Sequence, residues 1–101
     1  MSTLSINESQ FEAEVIKYPG KVLVDFYADW CGPCRLLSPI LEDVAAQENV
    51  KVVKINVDNN QELAQKYGVM SIPTVYYFVG GKEASKFVGA RGKQEILQMI
   101  R

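Results

Sequence analysis

Asp29-Trp30-Cys31-Gly32-Pro33-Cys34 holds the only two cysteines of the chain and stands between two runs of different periodicity. Upstream, Val22-Leu23-Val24-Asp25-Phe26-Tyr27-Ala28 is almost unbroken apolar sequence, rich in β-branched and aromatic residues, the pattern of a strand buried on both faces. Downstream, Leu37, Ile40, Leu41, Val44 and Ala45 recur at helical spacing. The cysteines therefore sit where a strand gives way to a helix, and Pro33, which has no amide hydrogen to donate, suits the first helical turn. Cysteines at i and i+3 lie on one side of that turn with Cα atoms roughly 5 Å apart, within disulfide range. So short a closed loop stabilises a fold by only ~2 kcal/mol. The spacing suits reversible chemistry better than reinforcement.

Toward the N-terminus, Leu4 and Ile6 suggest a short first strand. Asn7 and Gln10 have the spacing of a capping box, and Ile6 and Phe11 that of a hydrophobic staple, so a helix is expected to about Lys17. Pro19-Gly20 breaks the chain before the Val22 strand. After the cysteines the helix is expected from near Cys34 to about Gln47, bent at Pro39, whose ring removes one rung of the hydrogen-bond ladder. Lys51 to Val57 reads as a third strand, and Asp58-Asn59-Asn60 as the cap of a short helix with Leu63, Ala64 and Tyr67 inward, ended by Gly68. Val75 to Val79 and Lys82 to Val88 are two strands joined by the hairpin signal Gly80-Gly81, with Lys82 and Lys86 protecting an edge. Gly89 to Gly92 turns into a closing helix with Ile96, Leu97 and Ile100 on its apolar stripe. This β-α-β-α-β-α-β-β-α order predicts an α/β fold: a central, mostly five-stranded mixed sheet, parallel first and antiparallel last, with about four helices on both faces.

The 101 residues are 48% hydrophobic, with eleven Lys or Arg against twelve Asp or Glu and a net charge of −1. One domain over residues 1–101 is expected, with no bulk charge to favour nucleic acid or an anionic membrane. No apolar run approaches the ~18 residues of a membrane span, and Met1 to Glu8 lacks the basic and apolar regions of a secretory signal. The cytoplasm, or another reducing compartment such as a stroma, is the expected location. There, Cys-X-X-Cys points to metal or redox work. Zinc wants about four ligands and the chain offers two cysteines and no histidine, so no metal is expected.

Trp30-Cys31-Gly32-Pro33-Cys34 after a strand bearing Asp25, with Lys54 in a third strand, Ile72-Pro73-Thr74 before a fourth and Gly89 late, resembles the thioredoxin family over essentially the whole chain. The resemblance implies a dithiol–disulfide oxidoreductase that reduces protein disulfides through Cys31 and Cys34, needs no bound cofactor, works as a monomer and is recharged by a thioredoxin reductase. Cys31 is expected to be the exposed nucleophile, its thiolate favoured by the positive end of the helix dipole. Cys34 then resolves the mixed disulfide. Asp25, an acid in an apolar strand, should have a raised pKa that suits it to relay the Cys34 proton. By itself that residue reads more readily as the ion-pair partner of Lys54; the resemblance assigns it the relay role, with Lys54 tuning it.

The resemblance also implies that Gly32, Pro33, Lys54 and Pro73 tune the redox pair, and that a cis Ile72–Pro73 bond packs against the disulfide and exposes the Ile72 backbone to a substrate strand. Trp30, Gly32, Pro33, Ile72, Pro73, Gly89 and Ala90 would form a shallow apolar docking surface for extended protein segments. Met70 would make its rim more apolar. Two other functions compete: a disulfide oxidase or isomerase, against which Gly32-Pro33 and the lack of a signal argue, and a binding or assembly subunit with incidental thiols.

Overall fold

The computed structural model describes residues 2–101. Five strands, β1 (Thr3–Ser5), β2 (Lys21–Tyr27), β3 (Lys51–Asn56), β4 (Thr74–Val79) and β5 (Lys82–Val88), form one sheet in the order β1-β3-β2-β4-β5. β3 runs parallel to both β1 and β2, whereas β4 is antiparallel to β2 and β5 to β4. This is the expected mixed sheet. The Val22 strand is its middle member, which is why its side chains from Val22 to Phe26 are all buried.

Alternation along β2 then sorts the core. Val22, Val24 and Phe26 join Ile6, Phe11, Val15, Leu63 and Ala64 on one face of the sheet. Leu23 points the other way, toward Leu37, Leu41 and Val44 of α1 (Gly32–Gln47) and toward Ile96, Leu97 and Ile100. α2 (Gln61–Lys66) covers the first face, and α3 (Lys93–Ile100) shares the second with α1. By the same alternation Asp25 lies on the side of α1.

The first helix departs from expectation. Its capping box forms: Asn7 accepts the Ser9 amide at 3.0 Å and Gln10 accepts the Asn7 amide at 2.9 Å. The chain then winds as a 3-10 turn, Glu8–Gln10, and a π turn, Glu12–Ile16, in which the Lys17 amide reaches back to the Glu12 carbonyl at 2.9 Å. With this wide winding Phe11 and Val15 stay in the core while the Ile16 carbonyl lies against the β4–β5 hairpin, in the space a Cβ on Gly81 would need. Tertiary packing has overridden the local preference for an α-helix.

The cap of α2 also differs. Asn60 takes the N-cap position but makes no local cap bond. Its Oδ1 accepts the Glu8 amide at 2.8 Å and its Nδ2 donates to the Asn56 carbonyl at 2.8 Å, so the side chain ties the N-terminal segment to the end of β3. β3 ends at Asn56 rather than Val57 because the Asn56 side chain accepts the Asp58 amide and caps a 3-10 turn, Val57–Asn59. α1 starts two residues earlier than expected, at Gly32, and continues through Pro39. The hairpin signal is as expected: Gly80 and Gly81 take φ of 57° and 82°, and Val79 registers with Lys82.

Candidate active site

The C-terminal end of β2 delivers the chain into α1 through Ala28, Asp29 and Trp30, and the helix begins on the cysteine pair. Cys31 is itself the N-cap: its backbone is extended, and its Sγ accepts the Cys34 amide at 3.2 Å, the place a Ser or Asp oxygen usually takes. Pro33 occupies the first turn, where no amide donor is required. The pair is closed as a disulfide with Cα atoms 5.2 Å apart, in line with the spacing argument. Cys31 Sγ thus receives the Cys34 amide at the N-terminal, positive end of the dipole of a sixteen-residue helix.

Cys31 is less accessible than its expected role suggests. Both cysteines are only 4% exposed in the disulfide form. The reason is the approach of the loop before β4: the Ile72 carbonyl oxygen lies 3.7 Å from Cys31 Sγ, and Ile72 packs with Tyr27 and Val57 on a small cluster of Ala28, Cys31 and Cys34. The Ile72–Pro73 bond is cis. Pro73 is buried, and its carbonyl accepts the Gly89 amide at 2.8 Å, which draws the Gly89-Ala90 turn to the same rim.

On the strand that leads to the cysteines, Asp25 is 1% exposed, and both of its carboxylate oxygens are buried without a hydrogen-bond partner. Burial pushes its pKa from 3.8 up to about 7, with the charge of Lys54 pulling the other way. Lys54 stands directly across from Asp25 on β3, and its ammonium donates to Ser38 Oγ at 2.9 Å and sits 4.6 Å from the centre of the Tyr27 ring. Tyr27, Asp29, Cys34, Arg35, Ser38 and Lys54 line a pocket of about 200 Å³ beside the second sulfur.

Around the rim, Gly32 and Pro33 are exposed, and Trp30 is 68% exposed with its indole Nε1 donating to Asp58 Oδ2 at 3.0 Å. Met70 is 96% exposed. Sequence reasoning missed three residues here. Leu36 is 70% exposed one turn beyond Pro33, and a helical wheel shows it off the Leu37, Leu41 and Val44 stripe. Ser38 is spaced i+4 from Cys34 and so returns to the same side of α1. Asp58 reads only as a cap, and nothing local pairs it with Trp30.

The thioredoxin family model matches residues 2–101. The chain is 43% identical over 98 residues to a thioredoxin of Rickettsia bellii, covering 95% of this chain and 93% of that protein. It is 41% identical to a bifunctional thioredoxin reductase/thioredoxin of Mycobacterium leprae, over 95% of this chain and 21% of that protein. Among solved structures, a mutant thioredoxin from Halobacterium salinarum NRC-1 superimposes with a TM-score of 0.92 at 38% identity, covering 98% of this chain and 88% of that one.

Proposed function

Because the chain belongs to the thioredoxin family, and is a dithiol–disulfide oxidoreductase acting on protein disulfides, we propose that Cys31 attacks, Cys34 resolves and Asp25 takes the Cys34 proton. The observation that carries this assignment is the asymmetry of the two sulfurs. Cys31 Sγ receives the amide at the mouth of α1, whereas Cys34 lies one turn inside, buried beside Ala28, on the helix that covers the face of the sheet to which alternation along β2 turns Asp25.

The Cys31 thiolate attacks one sulfur of a substrate disulfide, forming a mixed disulfide and expelling the other substrate sulfur as a thiolate. The ionised Asp25 carboxylate takes the Cys34 proton. The Cys34 thiolate then attacks the Cys31 sulfur, closing the protein disulfide and expelling the second substrate sulfur as a thiolate, to which the Asp25 carboxyl can return the proton. Two electrons pass to the substrate. A group with a pKa of about 7 is present in both protonation states near neutrality and can take up and return a proton.

Docking is assigned to Trp30, Gly32, Pro33, Ile72, Pro73, Gly89 and Ala90, extended by Leu36 and Met70. Gly32, Pro33, Lys54 and Pro73 tune the pair. The surface is shallow and suits an extended segment whose backbone pairs with Ile72. Oxidised protein is returned to the dithiol by a thioredoxin reductase; the joining of the two activities in the Mycobacterium leprae relative supports this pairing. We assign the chain as one domain over residues 1–101, monomeric, without a bound cofactor, in the cytoplasm or another reducing compartment. No helix among the described residues is long and apolar enough to cross a membrane.

The test is a pair of trapping variants incubated with a disulfide-bonded protein. Cys34→Ser should accumulate a mixed disulfide that peptide mapping places on Cys31, and Cys31→Ser should neither reduce the substrate nor trap it. Reduction by Cys31→Ser at the wild-type rate would reverse the assignment.

A further inference from the structure

Asp25 and Lys54 face each other in register on β2 and β3, and alternation on both strands turns them to the side of α1. Opposite charges so placed would ordinarily pair. Instead both Asp25 oxygens are buried without a partner, and the Lys54 ammonium donates to Ser38 Oγ at 2.9 Å. That bond is charge-assisted and reinforced by the Tyr27 ring at 4.6 Å, whereas pairing with Asp25 would require both charges to lose water. Ser38 comes from α1 one turn beyond Cys34, and the three side chains of Cys34, Ser38 and Lys54 line one pocket. The helix that carries the second sulfur also carries the hydroxyl that holds the lysine.

We propose that Ser38 is a positioning residue whose hydroxyl holds the Lys54 ammonium off Asp25, keeping the buried carboxyl available for proton exchange with Cys34. This rests on the reading of Asp25 as the base for Cys34. The other titratable or charged groups on this side of the sheet are spread over several elements. Tyr27 and Lys21 are on Asp25's own strand, Lys21 donating to the Ile100 carbonyl at 2.7 Å, Asp29 follows that strand and lines the same pocket as Lys54, and Tyr77 on β4 turns its hydroxyl to the Ile100 carbonyl. On α1 are Cys34, Arg35, which is bonded to the Asp29 carbonyl, and the exposed Glu42 and Asp43. α3 meets this face through the apolar Ile96, Leu97 and Ile100. Lys54 is the cation whose charge acts on the carboxyl, and the acceptors across from it in register are the two buried, unpartnered oxygens of Asp25. An ammonium within reach of a carboxylate favours the ionised form.

The test follows the Asp25 carboxyl carbon by NMR against pH in the oxidised protein, where neither cysteine titrates. Wild type, Ser38→Ala, Lys54→Met and the double variant are compared. Ser38→Ala should lower the Asp25 midpoint by roughly one pH unit, and should have no effect once Lys54 is Met. An unchanged or raised midpoint in Ser38→Ala, or an equal fall in the Lys54→Met background, would overturn the proposal. The pH profile of mixed-disulfide release, measured on the same variants, separates this from the reading beneath it. If the carboxyl midpoint moves and the release profile does not follow, the placement by Ser38 stands and the base role of Asp25 fails.

Discussion

Asp25→Asn should make the oxidised protein more stable, by an amount that grows with pH. The native carboxyl has a pKa of about 7 against 3.8 for the ordinary side chain, so between those values the folded protein holds a proton that the unfolded chain has lost. Stability must then fall as pH rises through that window, and level off once both states are ionised. The span is 7 − 3.8, or 3.2 units, which at about 1.4 kcal/mol per unit amounts to about 4 kcal/mol. Asn cannot ionise and escapes this loss. Its unpartnered amide has a cost of its own, about 1–3 kcal/mol, but that cost does not depend on pH. The informative quantity is therefore the difference in unfolding free energy between the two proteins, taken from denaturant melts with the disulfide closed. It should swing toward Asn by about 4 kcal/mol between about pH 4 and about pH 8. A difference that stays flat across this window would mean that Asp25 ionises as readily in the fold as outside it, and would remove the basis for its proton-relay role.

Other perturbations test separate parts of the structure. Gly81→Ala should destabilise the protein by about 2 kcal/mol or more in denaturant melts, because φ at Gly81 is 82° and the added Cβ meets the Ile16 carbonyl. An effect near zero would show that the π turn yields easily. Leu36→Glu, at a 70% exposed position, should leave stability within about 0.5 kcal/mol while lowering kcat/KM several-fold for a disulfide-bonded protein and not for a small aromatic disulfide. Equal rates on both substrates would exclude Leu36 from the docking surface. Asp58→Ala should change Trp30 fluorescence and lower stability by less than about 1 kcal/mol, since the lost hydrogen bond lies on the surface. An unaltered emission spectrum would mean that the indole is not held by Asp58.

What the sequence reveals depends on how local the controlling interaction is. The strand pattern around Val22 and the hairpin at Gly80-Gly81 are legible because an unbroken apolar run buried on both faces and positive φ are each set within a few residues. Asp25 is legible for a related reason, as an acid in a run whose neighbours all point to a double-sided core. The first helix reads as α because Asn7, Gln10 and Phe11 carry α signals; its actual winding is set by a hairpin more than sixty residues away in the chain. Asn60 reads as a cap, but its side chain is committed 52 residues back, to Glu8. Ser38 shows only its i+4 spacing from Cys34 and Asp58 only a cap, since their partners Lys54 and Trp30 lie 16 and 28 residues away. The burial of Cys31 belongs to the same class: it results from Ile72, 41 residues on, closing over the sulfur.

The position of Asp25 in the sheet and the pKa its proposed role needs are one requirement. On β1 or β5, which pair on one side only, a carboxyl would reach water and ionise near its ordinary value, where it would be too weak a base to compete for a thiol proton. On β2 its strand is paired on both edges and covered on both faces, so burial alone lifts the pKa by more than the opposing Lys54 lowers it. The same burial lowers stability at neutral pH, and the strand that bears it is the one with the most core around it. β2 also leads without a long loop into α1, so the carboxyl, the two sulfurs and Ser38 share one rigid strand–helix junction. A shift of any of these residues to another element would change their separation and burial together.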